Sequence, residues 1–331
     1  MARAAVCREY GAPDVVRTEE WDAGPTAPGQ VRVHVQAAAV NFPDVLLVAN
    51  QYQVSVPPPF VPGSEFAGVI AEVGEGVTDF AVGDAVFGTG MVGAFAEEIV
   101  TVPGALTRTP PGISAAKAAA FGVASRTAYY ALSSFAHVEA GHEVIVLGAG
   151  GGVGSAAVQI AAALGCTVTA VASSREKLEV AGACGAQRLV GHRAVDGSAG
   201  DLRAALREAV PGGAHAVIDP VGGDLSEPAL RSLRYGGRFV TLGYASGTIP
   251  RIPLNLVLLK GVEIVGFQII DFMTHRLDDL LRDDAEVLAL LADGTVDPFI
   301  GARFPLDDAA AALRHVAEGR ALGKVVLELT D

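Results

Sequence analysis

The sequence predicts an α/β protein in which a doubly wound parallel sheet is joined to a β-rich module that the chain leaves and later re-enters. Three observations carry this. An apolar run, Glu143-Val144-Ile145-Val146-Leu147, meets the glycine cluster Gly148-Ala149-Gly150-Gly151-Gly152-Val153-Gly154 and opens onto a helical pattern, Ser155 to Ala161. Strand-like and helical patterns then alternate as far as Gly266, as a parallel sheet with crossover helices requires. The first 122 residues show short strand patterns and dense turn signals, and a strand-like run recurs near the end of the chain.

Residues 1–122 contain the strand-like runs Gln30–Val40 and Ala67–Val73. Turn signals punctuate them at Gly11-Ala12-Pro13, Pro57-Pro58-Pro59, Gly74-Glu75-Gly76, Gly83-Asp84 and Pro110-Pro111-Gly112. From about Ser114 the spacing becomes helical, over Ala115–Val123 and Thr127–Ser134. After the glycine cluster comes a strand at Thr167–Ala172, and then strands at Arg188–Val190, Ala216–Asp219, Arg238–Thr241 and Glu263–Gly266. Helical patterns at Leu202–Val210, Leu225–Leu233 and Leu254–Leu259 separate the later ones. The apolar character of these strands suits a sheet covered on both faces. The polar stretch Gly191–Gly200 reads as a surface loop. Leu277–Asp293 and Leu306–Gly319 read as amphipathic helices, and Lys324–Leu329 as a closing strand. The tail is expected to return to the first module. This gives a discontinuous first domain at 1–122 and 267–331 around a second at 123–266.

Composition narrows the class. In 331 residues, 50% are hydrophobic and 18% charged, enough for a sizeable core. The net charge of −13 disfavours nucleic acid or an anionic membrane as partner. The N-terminal residues lack the apolar core of a signal peptide, and no apolar run approaches the ~20 residues of a membrane helix. A cytoplasmic location is the expectation. Cys7, Cys166 and Cys184 have no zinc-knuckle or redox spacing, and Cys166 and Cys184 read as small buried hydrophobes. The seven histidines show no metal-ligand spacing.

The glycine cluster carries the first functional expectation. A strand, a tight turn and a helix N-terminus let backbone amides approach a pyrophosphate at the positive end of a helix dipole. The strict fingerprint is imperfect, because Ala149 stands two residues before Gly151. The following strand completes a βαβ unit of about 30 residues, which favours a dinucleotide cofactor and a redox enzyme.

Further motifs extend this reading: Val40-Asn41-Phe42-Pro43-Asp44, Pro59-Phe60-Val61-Pro62-Gly63-Ser64-Glu65, Val82-Gly83-Asp84, Asp219-Pro220-Val221-Gly222-Gly223 and Gly323-Lys324-Val325. Through them the chain resembles, nearly end to end, the zinc-independent medium-chain dehydrogenase/reductases of the NADPH:quinone oxidoreductase (zeta-crystallin-like) group. The resemblance implies a Rossmann domain with a discontinuous GroES-like catalytic domain, and an active site in the cleft between them. It also implies a homodimer through the sheet edge at Val262–Gly266. Zinc-dependent relatives carry a cysteine near Asn41 and a Gly-His-Glu motif where this chain has Gly63-Ser64-Glu65. No metal is therefore expected, and Asp44 and Glu65 are assigned structural or solvated roles.

NADPH is the expected cofactor. The second strand of the βαβ unit ends in Ser173-Ser174-Arg175-Glu176-Lys177, without an acid at the strand end to hold a ribose 2′-OH. Ser173, Ser174, Arg175 and Lys177 suit a 2′-phosphate. Glu176 is either solvated or paired with a nearby cation. By resemblance Gly151, Gly152, Val153 and Gly154 line the pyrophosphate, and Asn41 and Thr127 approach the nicotinamide. Leu242, Gly243 and Tyr244 flank the cofactor, and Phe267, Gln268 and Ile269 lie near its carboxamide. His192 either stacks on the adenine or approaches the phosphate, or is an ordinary loop histidine. Lys324 either closes over the cofactor or is a surface lysine.

The expected reaction delivers reducing equivalents from NADPH to a quinone, with alkenals, enones and enoyl thioesters as alternative acceptors and a non-catalytic NADPH sensor as a third possibility. Such acceptors are electrophilic enough to need only hydrogen-bond donors. Asn41, Tyr52 and Thr127 are the catalytic candidates, although Tyr52 also reads as a loop tyrosine packed by its ring. Asp44 is expected to support the Asn41 loop. Phe42, Tyr52, Tyr244, Phe267 and Phe272 are candidate apolar contacts for the acceptor.

Overall fold

A computed structural model describes residues 2–193 and 200–329; within the expected loop Gly191–Gly200, residues 194–199 lie outside the described residues. The chain opens with β1 (Ala2–Cys7), β2 (Val16–Trp21), β3 (Val31–Val40), α1 (Phe42–Val48), β4 (Glu65–Val73), β5 (Ala85–Thr89), β6 (Glu98–Thr101), β7 (Leu106–Arg108) and α2 (Ala115–Phe121). Next come α3 (Ala124–Tyr130), which runs into a π-helical turn, β8 (Glu143–Leu147), α4 (Gly152–Ala163), β9 (Thr167–Ala172), α5 (Arg175–Ala183) and β10 (Arg188–Gly191). They are followed by α6 (Leu202–Ala209), β11 (Ala214–Asp219), α7 (Ser226–Arg231), β12 (Leu233–Thr241), α8 (Leu254–Lys260) and β13 (Glu263–Gly266). The last elements are α9 (Ile269–His275), α10 (Leu277–Ala292), β14 (Ile300–Pro305), α11 (Ala309–Ala317) and β15 (Lys324–Glu328).

Two compact units divide the chain, one of Met1–Val123 with Ile300–Asp331 and one of Ala124–Phe299. In the first, a mixed sheet runs β14-β15-β3-β4-β5-β7, with β6 also paired to β3 and β1 paired to β2 apart from it. The long β3 buries Val31, Val33 and Val35 at period two, as a strand with one covered face must. Val6, Phe60, Phe66, Phe95, Leu313, Val325 and Leu327 complete that core.

In the second unit the sheet order is β10-β9-β8-β11-β12-β13, and every pairing is parallel. The order reverses at β8, the switch point at which doubly wound sheets bind ligands outside their strand C-termini. β8 and β9 are almost wholly buried, as covering helices on both faces require. Ile145, Leu147, Val171, Leu206, Val217, Leu230 and Phe239 form one core cluster of the unit.

The second unit runs to Phe299, so the chain returns at Ile300 rather than at 267. The cause is a polar seam between α10 and the α3 turn. Asp284 accepts from Arg126 Nε and Nη2 (2.6 and 3.1 Å) and from the Tyr130 hydroxyl (3.0 Å). The buried Asp283 accepts from Ser134 (2.6 Å) and Ser133 (3.2 Å). An amphipathic pattern reveals that a helix has a covered face, but not what covers it.

Candidate functional site

In the second unit the loops after the strands converge around the glycine turn. The Gly151 amide donates to the Gly148 carbonyl (3.0 Å) and α4 starts at Gly152. The first-turn amides of Gly152, Val153 and Gly154 lie outside the helix's own ladder and supply donors at its positive end. A Cβ on Gly154 would collide with the Gly148 carbonyl, and one on Gly150 with the backbone of Lys177. Glycine at these positions lets the turn close on itself and draws the start of α5 against it.

That contact sets the charged groups of the next two loops. Ser174 caps α5 by accepting from the Lys177 amide (3.3 Å). Arg175 points outward and pairs with Glu179 (2.8 Å) at 88% side-chain exposure. Lys177 and His192 are both half-buried. Burial, then the Arg193 charge, holds the Lys177 ammonium below its ordinary value. Burial, Arg193 and Lys177 do the same to the His192 imidazole. Lys177 and Arg193 thus place two mutually repelling cations beside the glycine turn, next to a His192 imidazole that burial and these charges hold neutral. Arg193 is an addition to the residues expected from the sequence, and its position directly after His192 is the signal that marks it.

On the other side of the switch point, Asp219 is fully buried and accepts from the Val221 and Gly222 amides (2.8 Å each) and from Ser226 (2.6 Å). Ala245 and Ser246 donate to Pro220 and Val221 (3.2 and 2.9 Å), which lays the Leu242–Tyr244 segment against this loop. Gln268 caps α9 by accepting from Asp271 (2.7 Å), beside half-buried Ile269. The Phe267 and Phe272 rings, expected at the acceptor, lie in a buried cluster with Tyr130 and Phe135 at centroid separations of 4.8 to 6.4 Å. Aromatic residues there fill space. Thr127 is half-buried on α3.

The first unit holds a different constellation. Asn41 is the N-cap of α1, and its amide donates to the Asp44 carboxylate (2.7 Å), a capping-box contact that ties Asp44 to the Asn41 loop as expected. Its side chain is fully committed, with Nδ2 donating to Glu65 (2.8 Å) and Ser64 (3.2 Å) and Oδ1 accepting from Lys324 Nζ (2.7 Å). Lys324 Nζ also meets Glu65 Oε1 at 2.6 Å, with side-chain exposures of 3% and 0%. Glu65 Oε2 accepts the Val123 amide (2.6 Å). Lys324 is not a surface lysine: it neutralises a buried carboxylate. Asp44 and Glu65, read as structural or solvated, are both completely buried.

Three ionised groups here would leave one net negative charge in a dry site. Burial, opposed by hydrogen bonds from Asn41 and Ser64, pushes the Asp44 carboxyl up to about 7, with Glu65 adding to the rise and Lys324 opposing it. Tyr52 is half-buried, and burial followed by the Asp44 charge raises its phenol, which keeps it protonated.

Residues 152–283 match the model of a zinc-binding dehydrogenase domain, and residues 27–111 that of an alcohol dehydrogenase GroES-like domain. The chain is 38% identical over 329 residues to quinone oxidoreductase-like protein 2 of Bos taurus, covering 99% of this chain and 92% of that protein. Among solved structures, Escherichia coli quinone oxidoreductase complexed with NADPH superposes with a TM-score of 0.89 at 26% identity, covering 99% of this chain and all of that one. A mycobacterial structure complexed with NADPH gives a TM-score of 0.89 at 28% identity over 99% and 100% of the two chains. The chain belongs to the medium-chain dehydrogenase/reductase family, in its quinone oxidoreductase-like branch.

The family name raises zinc, and the residues present do not fit it. Both Glu65 oxygens are engaged by protein donors, a lysine ammonium occupies the cation position, and Ser64 and Asn41 are poor ligands for a borderline-soft ion. Among the described residues, no group of three or more His, Cys, Asp or Glu could hold a metal. Nor is any described helix long and apolar enough to cross a membrane.

Proposed function

We propose that this chain is an NADPH-dependent oxidoreductase that delivers reducing equivalents to a quinone without a metal, in the cytoplasm. The observation that carries the reading is the pair of cations Lys177 and Arg193, with the neutral His192, beside a glycine turn with open amides at the start of α4. The amides of Gly152, Val153 and Gly154 would receive the pyrophosphate at the turn that Gly151 closes, and Lys177 and Arg193 the 2′-phosphate, relieving their mutual repulsion. Ser173 and Ser174 would border that phosphate. Arg175, turned toward Glu179, would contribute little. Leu242, Gly243, Tyr244, Gln268 and Ile269 would border the cofactor.

Bound NADPH supplies hydride, and the protein supplies position and hydrogen bonds. Tyr52 and Thr127 are the proposed donors to the acceptor oxygen. Asn41 and Lys324, whose polar atoms are spent on each other and on Glu65, act by holding the start of α1. The likeness to quinone oxidoreductases supports a quinone as acceptor.

Steady-state NADPH oxidation with a panel of quinones, enones and enoyl thioesters tests this. Turnover of quinones is expected. Turnover confined to enones or thioesters would move the acceptor to activated alkenes. Tight NADPH binding with no turnover would make the chain a sensor. We further propose a homodimer through β13. That edge strand exposes Ile264, and α8, just before it in the chain, exposes Leu254, Leu258 and Leu259, which give a partner an apolar surface to cover.

A further inference from the structure

We propose that the second unit carries a separate pocket for a phosphate ester at the amino-terminal edge of its parallel sheet. The pocket has a volume of about 340 Å³ and is lined by His137, His142, His215, Arg234, Arg238 and the backbone of Gly236 and Gly237, among others. His142 immediately precedes β8, His215 is the second residue of β11, and Arg234 to Arg238 lie at the start of β12. The glycine turn and the Pro220 and Leu242 loops follow the other ends of the same strands. Five residues of strand separate the two edges, about 17 Å. The pocket is therefore not part of the dinucleotide site, and its proposal does not depend on that reading.

The hydrogen bonding of His215 points to an anion. Its Nδ1 faces the Glu143 backbone N–H at 3.0 Å, and its Nε2 faces Arg234 Nη1 at 2.7 Å. Both neighbours are donors, because a guanidinium has no acceptor. A neutral imidazole carries one proton, so either tautomer leaves one N–H directed at another N–H. An oxyanion accepting from both Arg234 and His215 Nε2–H removes the conflict. His142 supplies a third donor: its Nδ1 accepts the Glu139 amide (3.1 Å), which puts its proton on Nε2. The two imidazoles stack at 4.1 Å with planes 12° apart.

The surroundings suit the same ligand. Among the described residues, no carboxylate lines the pocket. Glu143 pairs with Arg188, and Glu263 pairs with Arg238 (3.2 Å), which also donates to the Phe135 carbonyl (3.2 Å). Burial, then the His142 and Arg234 charges, holds the His215 imidazole below its ordinary value, with Glu143 opposing. In a chain of net charge −13 this is a local positive site. Donors converging from three side chains match a tetrahedral oxyanion with several acceptor oxygens. The volume leaves room for an organic portion beyond the phosphate itself.

Titration of the full-length protein with inorganic phosphate, read by NMR of the histidine side chains, tests the assignment, with citrate as a second arm. Saturable movement of the His142 and His215 signals by phosphate is expected. Arg234→Gln should weaken that binding about tenfold and leave NADPH oxidation unchanged; Lys177→Glu should leave it intact. Unmoved His142 and His215 signals, movement of His192 alone, equal affinity in Arg234→Gln, or a response to citrate but not to phosphate would each overturn the proposal.

Discussion

Three ionisable side chains of the first unit, Asp44, Glu65 and Lys324, share one site that excludes water. Removing the ammonium leaves Glu65 charged and unpaired, so Lys324→Met is expected to cost about 3–5 kcal/mol in a denaturant titration. Glu65→Gln in the same chain should restore part of it. Asp44 gives a signed pH dependence. Its folded value, about 7, lies above the ordinary 3.8. Between those values the unfolded chain has released the proton and the folded chain retains it, so stability falls as pH rises through this window and levels off above it. Asp44→Asn keeps the acceptor for the Asn41 amide and removes this slope. Relative to the parent its stability should therefore rise across the window, by up to ~4 kcal/mol if the full shift is expressed. At the cofactor loops, Lys177→Glu should weaken NADPH binding much more than NADH binding in a fluorescence titration. Equal losses would remove Lys177 from the phosphate site.

At the scale of elements, the glycine turn is where backbone geometry leaves least freedom. Gly154→Ala puts a methyl group against the Gly148 carbonyl, and α4 must shift to relieve it. Loss of measurable NADPH binding is expected, with thermal unfolding showing whether the fold survives. The same turn explains why the parallel sheet was legible in the sequence. β8, α4 and β9 follow one another within 30 residues, and each pattern is set by neighbours close in the chain. α9 escaped notice because its cap is the Gln268 side chain and its main buried residue is Phe272. β14 escaped because its alternating Ile300, Ala302 and Phe304 are only half-buried and are interrupted by Gly301 and closed by Pro305, so the run reads as turn-like. The buried role of Lys324 was illegible for another reason. Its partners Asn41 and Glu65 lie 283 and 259 residues away, and only the folded sheet brings them together.

For the molecule as a whole, charge and exposed apolar surface set the expectations. Leu258 is 81% exposed on α8. If β13 and α8 form the partner surface, Leu258→Glu should convert a dimer to a monomer in sedimentation velocity. The lysine-filled Glu65 site predicts that chelation leaves turnover intact and that metal analysis finds no stoichiometric zinc. Sheet connectivity has one more consequence. β15 lies between β3 and β14, so strands from the two ends of the chain are interleaved in the first unit. On the ribosome, the module begun first is the last that can close, while the unit inserted within it already has all of its strands. Until β15 emerges, Ala37–Val40 of β3 have one open margin and Glu65 has no counter-ion, so this module depends longest on protection.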